Sequence, residues 1–524
     1  MMPRPKKMAS PKGQTAKVPA QEFTFPAPIR GWVLNENLSN PQPGGARVLD
    51  NWFCTTTGIK ARGGRQKFAT LDAKVQSIFT YKSGSQSILF GATATKIYDI
   101  TSPASPTVVP TAAVTGMTSG YYSTEHFGTA GGNFLVVCNG TNSVRNFNGS
   151  AWSTPTITGV TSANLSQVWS HSNHLFFIEK NTMNAWYLPV DSISGTVAQI
   201  SLAGVMTKGG SLVFGAKWSL DAGDGLDDKC VFVSSEGEVA VYEGTNPGSA
   251  LAWSLVGVYI LPKPMGKNAR IAAGGDLLIA TEVGLIPMSA AINRDIAAME
   301  QAAVSKPIGT YWQAKAKLLA GTNWEMVKSP DVGIMIVSQP STAASECLVV
   351  NMLTGGWSRF TGWDVQCLGY IAGQTFCGSA DSCVYVLNVG GSDSGENYTC
   401  VYLGQADPMG LYGKQKTILQ MRAVVNTSVS IMPQLTAQVN YSEALSSPPS
   451  SPADYSVDSW DSGIWDTSLW DASTPLAIVA QWAATGKTGR VVAPELQLTF
   501  GITPTPNTEL VAIDAQFSAG AVVT

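Results

Sequence analysis

Residues 230–242 read Cys-Val-Phe-Val-Ser-Ser-Glu-Gly-Glu-Val-Ala-Val-Tyr, two apolar runs that flank a turn at Glu236 and Gly237. A glycine beside a polar residue between two such runs is typical of a β-hairpin. Because neither run alternates strictly between apolar and polar residues, both faces of these strands are expected to be covered by protein. The stretch therefore predicts a buried hairpin in an all-β fold.

The same pattern recurs along residues 86–388. Successive copies start 41 to 57 residues apart, which gives each unit room for four strands. A period of roughly 40 to 50 residues is typical of β-propellers, so we predict a propeller of six to seven blades. A pair of β-sandwiches, whose turns recur at shorter spacing, is the alternative. The copies begin at Ile88, Phe134, Leu175, Cys230, Leu277, Ile334 and Phe376.

The composition supports an all-β chain of several domains. The 524 residues include 52 Gly and 29 Pro with only 13% charged residues, which suits short strands and tight turns. A chain of this length exceeds the usual size of one core. We predict a disordered basic arm at 1–22, a strand and loop segment at 23–75, the propeller at 76–410, and a β platform at 411–524 that the N-terminal segment also joins.

One segment of the predicted propeller has a helical pattern. Asn293 is a candidate helix cap, apolar residues follow at helical spacing through Met299, and the pattern stops before Pro307. A second helical stretch is predicted within 310–321. We therefore predict a helical insertion at about 293–321 that either packs on a neighbouring subunit or covers an exposed blade edge.

The C-terminal region combines alternating strands with an unusual loop. Residues 489–500 and 509–517 alternate apolar and polar side chains, as half-buried antiparallel strands do. The Trp-Asp loop, residues 446–474, carries Trp460, Trp465 and Trp470 at a five-residue spacing that fits neither a helix face nor a strand face. We predict an irregular loop whose indoles either anchor a partner or pack on the adjoining sheet.

The charge distribution gives no field that would gather nucleic acid or anionic membrane. The formal net charge is −3, and the basic residues of the arm, Lys6 and Lys7 among them, are offset by an acidic segment at 441–472. Such an arm is either solvated or ordered by a partner. No stretch of 18 apolar residues and no secretory h-region occurs. The eight cysteines stand singly, so we predict buried reduced thiols and assembly in a reducing cytoplasm.

No residue pattern indicates catalysis. His171 and His174 are three residues apart in a predicted turn, with no third metal ligand in view. The sequence contains neither a Gly-x-Ser-x-Gly elbow nor a His-Glu-x-x-His helix. Acids between Asp221 and Asp228 would hold Ca²⁺ only if ordered, and a solvated loop is the simpler interpretation. We therefore predict a protein that is not an enzyme and has no metal or cofactor.

Five short motifs stand out along the chain: Pro28-Ile-Arg-Gly-Trp32, Leu49-Asp-Asn-Trp-Phe53, Arg62-Gly-Gly64, the Trp-Asp repeat and Gly489-Arg-Val-Val-Ala-Pro494. Together they resemble the tail nozzle proteins (tail tubular protein B) of short-tailed bacteriophages, and in general design the related hub or packaged-DNA stabilisation proteins. The resemblance implies a β-propeller on a β platform, about six copies around the tail axis, and a channel through which double-stranded DNA leaves the capsid. It also implies contacts with an adaptor ring and with tail fibres or spikes, in a virion tail assembled in the host cytoplasm.

A nearly neutral conduit suits DNA ejection, because each neutralised phosphate would hold the duplex more tightly. Arg62, Arg65 and Lys67 depart from that neutrality. We predict that they, with Lys6 and Lys7, meet an acidic partner surface or non-specifically bound DNA at a subunit junction, while Trp460, Trp465 and Trp470 contact a partner. A host-surface or glycan-binding propeller at a tail tip is the alternative function. A bacterial enzyme or scaffold unrelated to phages is a third.

Overall fold

The computed structural model describes residues 20–39, 41–219, 228–340, 346–429, 431–449, 477–501 and 505–522. Within these ranges most of the ordered backbone is strand, and three short α-helices lie between residues 288 and 318. The basic arm and most of the Trp-Asp loop, including Lys6, Lys7, Trp460, Trp465 and Trp470, lie outside the described residues.

The N-terminal strands join three different sheets, so this segment is no independent unit. β1 and β5 pair with the C-terminal strand of an eight-stranded sheet, and β4 pairs with β5. β2 and β3 lie side by side in a nine-stranded sheet. β6 instead pairs with a propeller strand more than 300 residues later. These strands are β1 (Gln21–Pro26), β2 (Gly31–Trp32), β3 (Gly45–Asp50), β4 (Trp52–Cys54), β5 (Ile59–Ala61) and β6 (Arg65–Thr70).

The first three blades are antiparallel sheets of four strands, each starting with its inner strand. Blade one contains β7 (Ser77–Ser83), β8 (Gln86–Ala92), β9 (Lys96–Asp99) and β10 (Ala112–Thr115). Blade two contains β11 (Ser123–Thr129), β12 (Gly132–Cys138), β13 (Arg145–Phe147) and β14 (Trp152–Ser153). The next strands are β15 (Ile157–Thr158), β16 (Leu165–His171), β17 (His174–Glu179), β18 (Asn184–Tyr187), β19 (Gly195–Thr196) and β20 (Ala198–Ser201). Of these, β16, β17, β18 and β20 form blade three.

Blade four has four strands and blade five has three. The quoted hairpin of residues 230–242 supplies the middle of blade four, where Val231, Phe232 and Val233 have no exposed surface. Their continuous apolar run is explained by neighbouring blades on both faces. The strands are β21 (Leu212–Trp218), β22 (Lys229–Ser234), β23 (Glu238–Gly244), β24 (Trp253–Ile260), β25 (Arg270–Ala273), β26 (Asp276–Ala280) and β27 (Leu285–Pro287).

The helical insertion follows β27, the outer strand of blade five. It contains α1 (Met288–Asn293), α2 (Met299–Ala302) and α3 (Gly309–Leu318). Asn293 ends α1 rather than capping a helix, because Arg294 is extended, and the side chain of Asp295 accepts the capping bond of the next turn instead. The buried Met299 packs in the core between blades four and five. The insertion therefore covers the outer edge of the three-stranded blade.

The next four strands belong both to the ring and to the nine-stranded sheet. β28 (Glu325–Ser329) contacts the inner strands on either side of it, and β29 (Ile334–Ser338), β30 (Glu346–Asn351) and β31 (Trp357–Thr361) follow outward. The sheet then continues into β2 and β3. The last blade, β32 (Cys367–Ile371), β33 (Gln374–Gly378) and β34 (Cys383–Leu387), takes β6 as its outer strand and contacts β7, which closes the ring.

The remaining strands complete the two large sheets, which together we call the platform. The nine-stranded sheet runs in the order β28, β29, β30, β31, β2, β3, β35, β41, β37. In the eight-stranded sheet, β36 pairs with β42 on one side and with β38, β39 and β40 on the other. The strands are β35 (Tyr398–Gly404), β36 (Lys414–Thr427), β37 (Gln434–Val439), β38 (Ala477–Val479), β39 (Trp482–Ala484), β40 (Thr488–Gly489), β41 (Val492–Phe500) and β42 (Thr508–Val522).

Separate apolar cores lie between successive sheets of the ring. Phe127 and Val136 of blade two meet Leu165 and Phe177 of blade three, for example. Burying one such side chain stabilises the fold by about 1.5–3 kcal/mol, so every blade contact contributes to ring closure. A larger core fills the platform and reaches the helical insertion. The predicted all-β fold is confirmed: six small sheets, together with β28–β31 of the nine-stranded sheet, form the propeller, which carries one helical insertion and an added β platform.

Candidate functional site

The junction between the ring and the platform is built around the buried Arg62. Its guanidinium group donates to both carboxylate oxygens of Asp393, at 2.9 and 2.7 Å, and to Asn51 Oδ1 at 2.9 Å. The rings of Trp363 and Tyr398 lie 4.5 and 3.9 Å from the guanidinium carbon. Planar bidentate pairing and aromatic contact are the interactions that arginine makes best, so this charge is satisfied inside the protein.

The prediction that Arg62 meets DNA or a partner surface is wrong for this reason. Its side chain has no exposed surface, and all of its nitrogen donors face internal acceptors. Arg65 and Lys67 lie on β6 in the last blade and are half-buried. The guanidinium of Arg65 lies over Tyr385, 4.3 Å from the ring centre. A contact of Arg65 or Lys67 with a partner stays a prediction.

The glycines of the quoted motifs stand where two backbones meet. A Cβ at Gly64 would lie 2.0 Å from the carbonyl oxygen of Ser392, close to Asp393. Gly31 has a φ of +75°, and its Cβ would lie 2.5 Å from the carbonyl oxygen of Trp357. Only glycine fits both positions without moving the backbone. These two glycines therefore permit the close backbone approaches at the junction.

The middle of the ring is crossed by polar side chains that precede blade five. Lys267 Nζ donates to the backbone oxygens of Tyr121 and Ser166, at 2.7 and 2.9 Å, and Asn268 Nδ2 donates to the oxygen of Tyr122 at 3.2 Å. Tyr121 and Tyr122 stand just before the inner strand of blade two, and Ser166 lies at the start of the inner strand of blade three. The segment before β25 thus bonds to blades two and three, which lie across the ring from blade five. Its side chains therefore cross the axis of the ring.

Charged groups on the inner strands line the same axis. Burial raises the pKa of Glu325 to about 7, although Leu368 N–H donates to its carboxylate and Lys267 stabilises its charge. Burial also lowers the pKa of Lys267 to about 8. Glu125, which accepts from Ser170 Oγ at 2.5 Å, likewise has a pKa raised by burial. The axis is therefore a confined polar environment in which acids and bases offset one another.

Sequence reasoning missed the axial charges. The sequence does show a charged residue at or just before the start of two strands, Lys267 before β25 and Glu325 at the start of β28. What the sequence does not give is that both strands are innermost in the ring. That position depends on the order of all blades rather than on local pattern.

The three histidines do not form a metal or catalytic group in the described ranges. His171 and His174 are buried at the two ends of the β16–β17 hairpin turn, and each bonds a backbone oxygen. His126 lies on the inner strand of blade two with a pKa lowered mainly by burial. Where the structure describes the chain, no cluster of three or more His, Cys, Asp or Glu has metal-binding proximity. Asp221, Asp224 and Asp227 lie outside these ranges.

The cysteines are buried, as predicted, and none is paired. Burial raises the pKa of Cys138 to about 12, and that of Cys377 likewise to about 12. A thiol with so high a pKa is poorly nucleophilic near neutral pH. These side chains act as small apolar residues between sheets.

A cleft of about 620 Å³ lies beneath α3. Lys263 and Lys317 stand on its walls together with Glu282 and Glu300. Lys263 is paired with Glu236 at 2.8 Å, at the rim, where both side chains are well exposed. The cleft therefore presents side chains of opposite charge beneath α3.

A scan against models of protein families finds no match, and neither does a comparison with curated protein sequences. Solved structures with a similar fold include the WD40 β-propeller domain of Doa1, which is 10% identical over 62% of this chain and 97% of that chain, with a TM-score of 0.40. Sqt1 of Saccharomyces cerevisiae is 14% identical over 60% and 82%, with a TM-score of 0.37. The computationally designed Ika8 protein is 11% identical over 62% and 100%, with a TM-score of 0.36.

Nothing about function follows from similarities of this size. The sheet arrangement itself defines the class, a β-propeller protein with an added sheet-rich region. Among the described residues, no helix is long and apolar enough to cross a membrane.

Proposed function

We propose that this chain is a structural component of a short phage tail, a nozzle subunit, and that its role is not catalytic. The observation that carries the proposal is the interlocking of ring and platform. One continuous sheet runs from β28 in the ring to β37 in the platform, and β6 returns from the platform to close the last blade. Backbone hydrogen bonds therefore join the ring to the platform, which suits a part that transmits force between neighbours.

The sequence resemblance supports the finer assignment. Four of its five motifs lie in the described structure. Their residues form the junction between ring and platform or pack close to it. Trp32 and Trp52 are buried in the platform core, Arg62 and Gly64 form the junction, and Pro494 packs against Gly404. The resemblance therefore rests on residues that build a propeller fixed to a platform.

An exposed strand edge supports assembly with further copies. β24 is the outer strand of blade four, and Leu255, Val256, Val258 and Ile260 along it are 37–45% exposed. None of its eight residues is charged. Free strand edges are normally blunted by charge or proline, and an uncharged one is suited to pair with another strand. We propose that a second copy of this chain covers β24 in a ring of about six.

The DNA conduit in this proposal lies between copies, not along the axis of one propeller. Lys267 and Asn268 cross that axis in each chain. The net charge of −3 and the internal pairing of Arg62 leave few strong phosphate contacts, so the duplex slides. An adaptor ring, tail fibres or spikes, and the host cell surface are the further partners of such a ring.

Native mass measurement and electron microscopy test this function. The purified chain is expected to form a closed ring of about six copies with an axial hole, alone or with the adaptor protein that the same genome encodes. A strictly monomeric chain that binds neither adaptor nor tail particles would overturn the proposal.

A further inference from the structure

The sequence contains two Asn-Gly pairs, and both stand in connections of blade two. Asn139 and Gly140 follow β12, and Asn148 and Gly149 lie in the turn between β13 and β14. In such a pair the backbone nitrogen of glycine can attack the side-chain amide carbon of asparagine, because glycine has no Cβ to obstruct the approach. The reaction forms a cyclic succinimide and releases ammonia. One blade therefore carries the same potential chemistry at two places.

The amide carbonyl of asparagine is held in the same way in both turns. Oδ1 accepts the backbone N–H groups of the residues two and three positions later, at 3.0 and 2.8 Å for Asn139 and at 2.9 Å each for Asn148. Donors at a carbonyl oxygen stabilise the negative charge that develops there when a nucleophile attacks the carbon. Both turns therefore polarise the group that would react, and this feature does not distinguish them.

Asn139 is held against reaction by its other bonds. The residue is 7% exposed, and its Nδ2 donates to the oxygen of Ser119 at 2.7 Å and to Asn142 Oδ1 at 3.0 Å. The N–H of Gly140 donates to the oxygen of Leu165 at 2.9 Å. The attacking nitrogen and the leaving nitrogen are thus both bonded to other segments, and water has little access to the side chain.

Asn148 has none of these restraints. Its side chain is exposed, and within the described chain neither its Nδ2 nor the N–H of Gly149 forms a hydrogen bond. Gly149 has a φ of +94°, a conformation that glycine adopts without strain. The attacking nitrogen and the leaving nitrogen are therefore both free, and water has access to the product that they form.

We propose that Asn148 is a site of spontaneous deamidation and isoaspartate formation in the folded chain. The nitrogen of Gly149 loses its proton to water or hydroxide and bonds to Cγ of Asn148, and the bond from Cγ to Nδ2 breaks as that nitrogen leaves as ammonia. Water then opens the succinimide at either carbonyl, which gives aspartate or isoaspartate. Water is the only other reactant. The inference is independent of the tail function, because it depends only on this turn.

The modification changes the contact between blades one and two. Gln86 Nε2 donates to the oxygen of Gly149 at 2.8 Å, and a Cβ at Gly149 would lie 2.9 Å from the Tyr81 hydroxyl. The turn therefore rests on the first hairpin of blade one. Isoaspartate adds a methylene group to the main chain and a negative charge to the side chain. We expect the displaced turn to lose the bond from Gln86, which lowers the melting temperature of the chain.

Peptide mapping by mass spectrometry tests the site in the full chain, incubated at mildly alkaline pH. Because three hydrogen bonds must open before Asn139 reacts, we expect Asn148 to convert about tenfold faster or more in the folded chain. In urea, where these contacts are absent, the two pairs should convert at similar rates. An isoaspartyl methyltransferase identifies the isoaspartate product. Equal rates in the folded chain, or an unmodified Asn148 under conditions in which the unfolded chain reacts, would overturn the proposal.

Asn148→Gln is the matched variant, because glutamine cyclises much more slowly and still offers an amide oxygen to the turn. Incubation is expected to lower the melting temperature of the wild type and to leave that of Asn148→Gln unchanged, each measured against its own fresh sample. Equal losses in the two proteins would show that the reaction at Asn148 does not loosen the contact between the blades.

Discussion

The guanidinium group of Arg62 and the carboxylate of Asp393, 331 residues apart in sequence, form a bidentate ion pair at 2.9 and 2.7 Å. Arg62 follows the last strand that the N-terminal segment gives to the eight-stranded sheet, and Asp393 follows the last strand of the propeller. The pair thus joins the start of the chain to the end of the ring. It fixes both at the point where the platform begins.

Breaking this pair is expected to destabilise the whole chain. Arg62→Leu leaves Asp393 buried without its partner, and losing one member of a buried pair costs about 3–5 kcal/mol. Urea unfolding followed by tryptophan fluorescence measures the free energy of unfolding. Arg422→Leu is the control, because Arg422 pairs with Asp514 while 39% exposed, and such pairs contribute about 0–1 kcal/mol. Equal losses in the two variants would contradict the role assigned to Arg62.

The sequence predicted the ring because its signal is local. Val231, Phe232 and Val233 form an apolar run beside a glycine turn, and copies of that pattern recur at a blade-sized spacing. The burial of these residues by neighbouring blades then follows from the fold. A hydrophobic pattern that repeats along the chain can be recognised in the sequence even when the contacts of each copy are unknown.

The role of Arg62 could not be predicted in the same way. An arginine beside two glycines has the pattern of an exposed turn, and nothing near it indicates an acidic partner. Asp393 lies 331 residues later in the sequence, after all the strands of the ring. The placement of β6 in the last blade was missed for the same reason, because Thr70 pairs with Cys383 across the closure of the ring. A local sequence pattern does not indicate which distant segments will be in contact.

A methyl group at Gly64 is expected to disturb the junction. Its carbon would lie 2.0 Å from the carbonyl oxygen of Ser392, so the backbone must shift. Overpacking of this kind costs about 1–3 kcal/mol. Gly204→Ala is the matched control, because nothing lies within 4 Å of a Cβ there and the position is exposed. Thermal unfolding of both variants measures the difference, and a Gly64→Ala protein as stable as Gly204→Ala would show that the junction is not tightly packed.

The stability of the ring is expected to fall as the pH rises from about 4 to about 7, because of Glu325. An unfolded glutamate loses its proton near pH 4.3, whereas in the folded chain burial moves the pKa of Glu325 to about 7. Between these values the folded state holds the extra proton, so raising the pH favours unfolding. The charge of Lys267 opposes this rise and is already reflected in the folded-state pKa of about 7.

Glu325→Gln removes that titration and keeps an oxygen for the N–H of Leu368. Melting temperatures of the wild type and the variant, measured from pH 5 to pH 8, are expected to diverge, with the variant the more stable at pH 8. Other carboxyl groups titrate alike in both proteins. Two parallel curves would mean that Glu325 keeps an ordinary pKa in the folded chain.

A charge on the exposed strand edge is expected to prevent assembly. Val258 lies on β24 and is 37% exposed, so Val258→Lys puts an ammonium group where the next copy would pack. Inward charge on a strand edge is the usual protection against pairing. Val108→Lys, at a loop residue that is 57% exposed, is the control. Light scattering on the adaptor-bound chain should show fewer bound copies for Val258→Lys alone, and a full ring in that variant would exclude β24 from the interface.

Electron microscopy of purified phage particles, labelled with an antibody fragment against this chain, tests the proposed tail role most directly. The proposal requires that a short-tailed phage encodes the chain, and particles of that phage are the sample. We predict about six fragments arranged around the tail axis, below the adaptor ring and beside the DNA channel. Label on the capsid shell, label scattered along fibres, or particles that contain none of this chain would contradict the nozzle assignment.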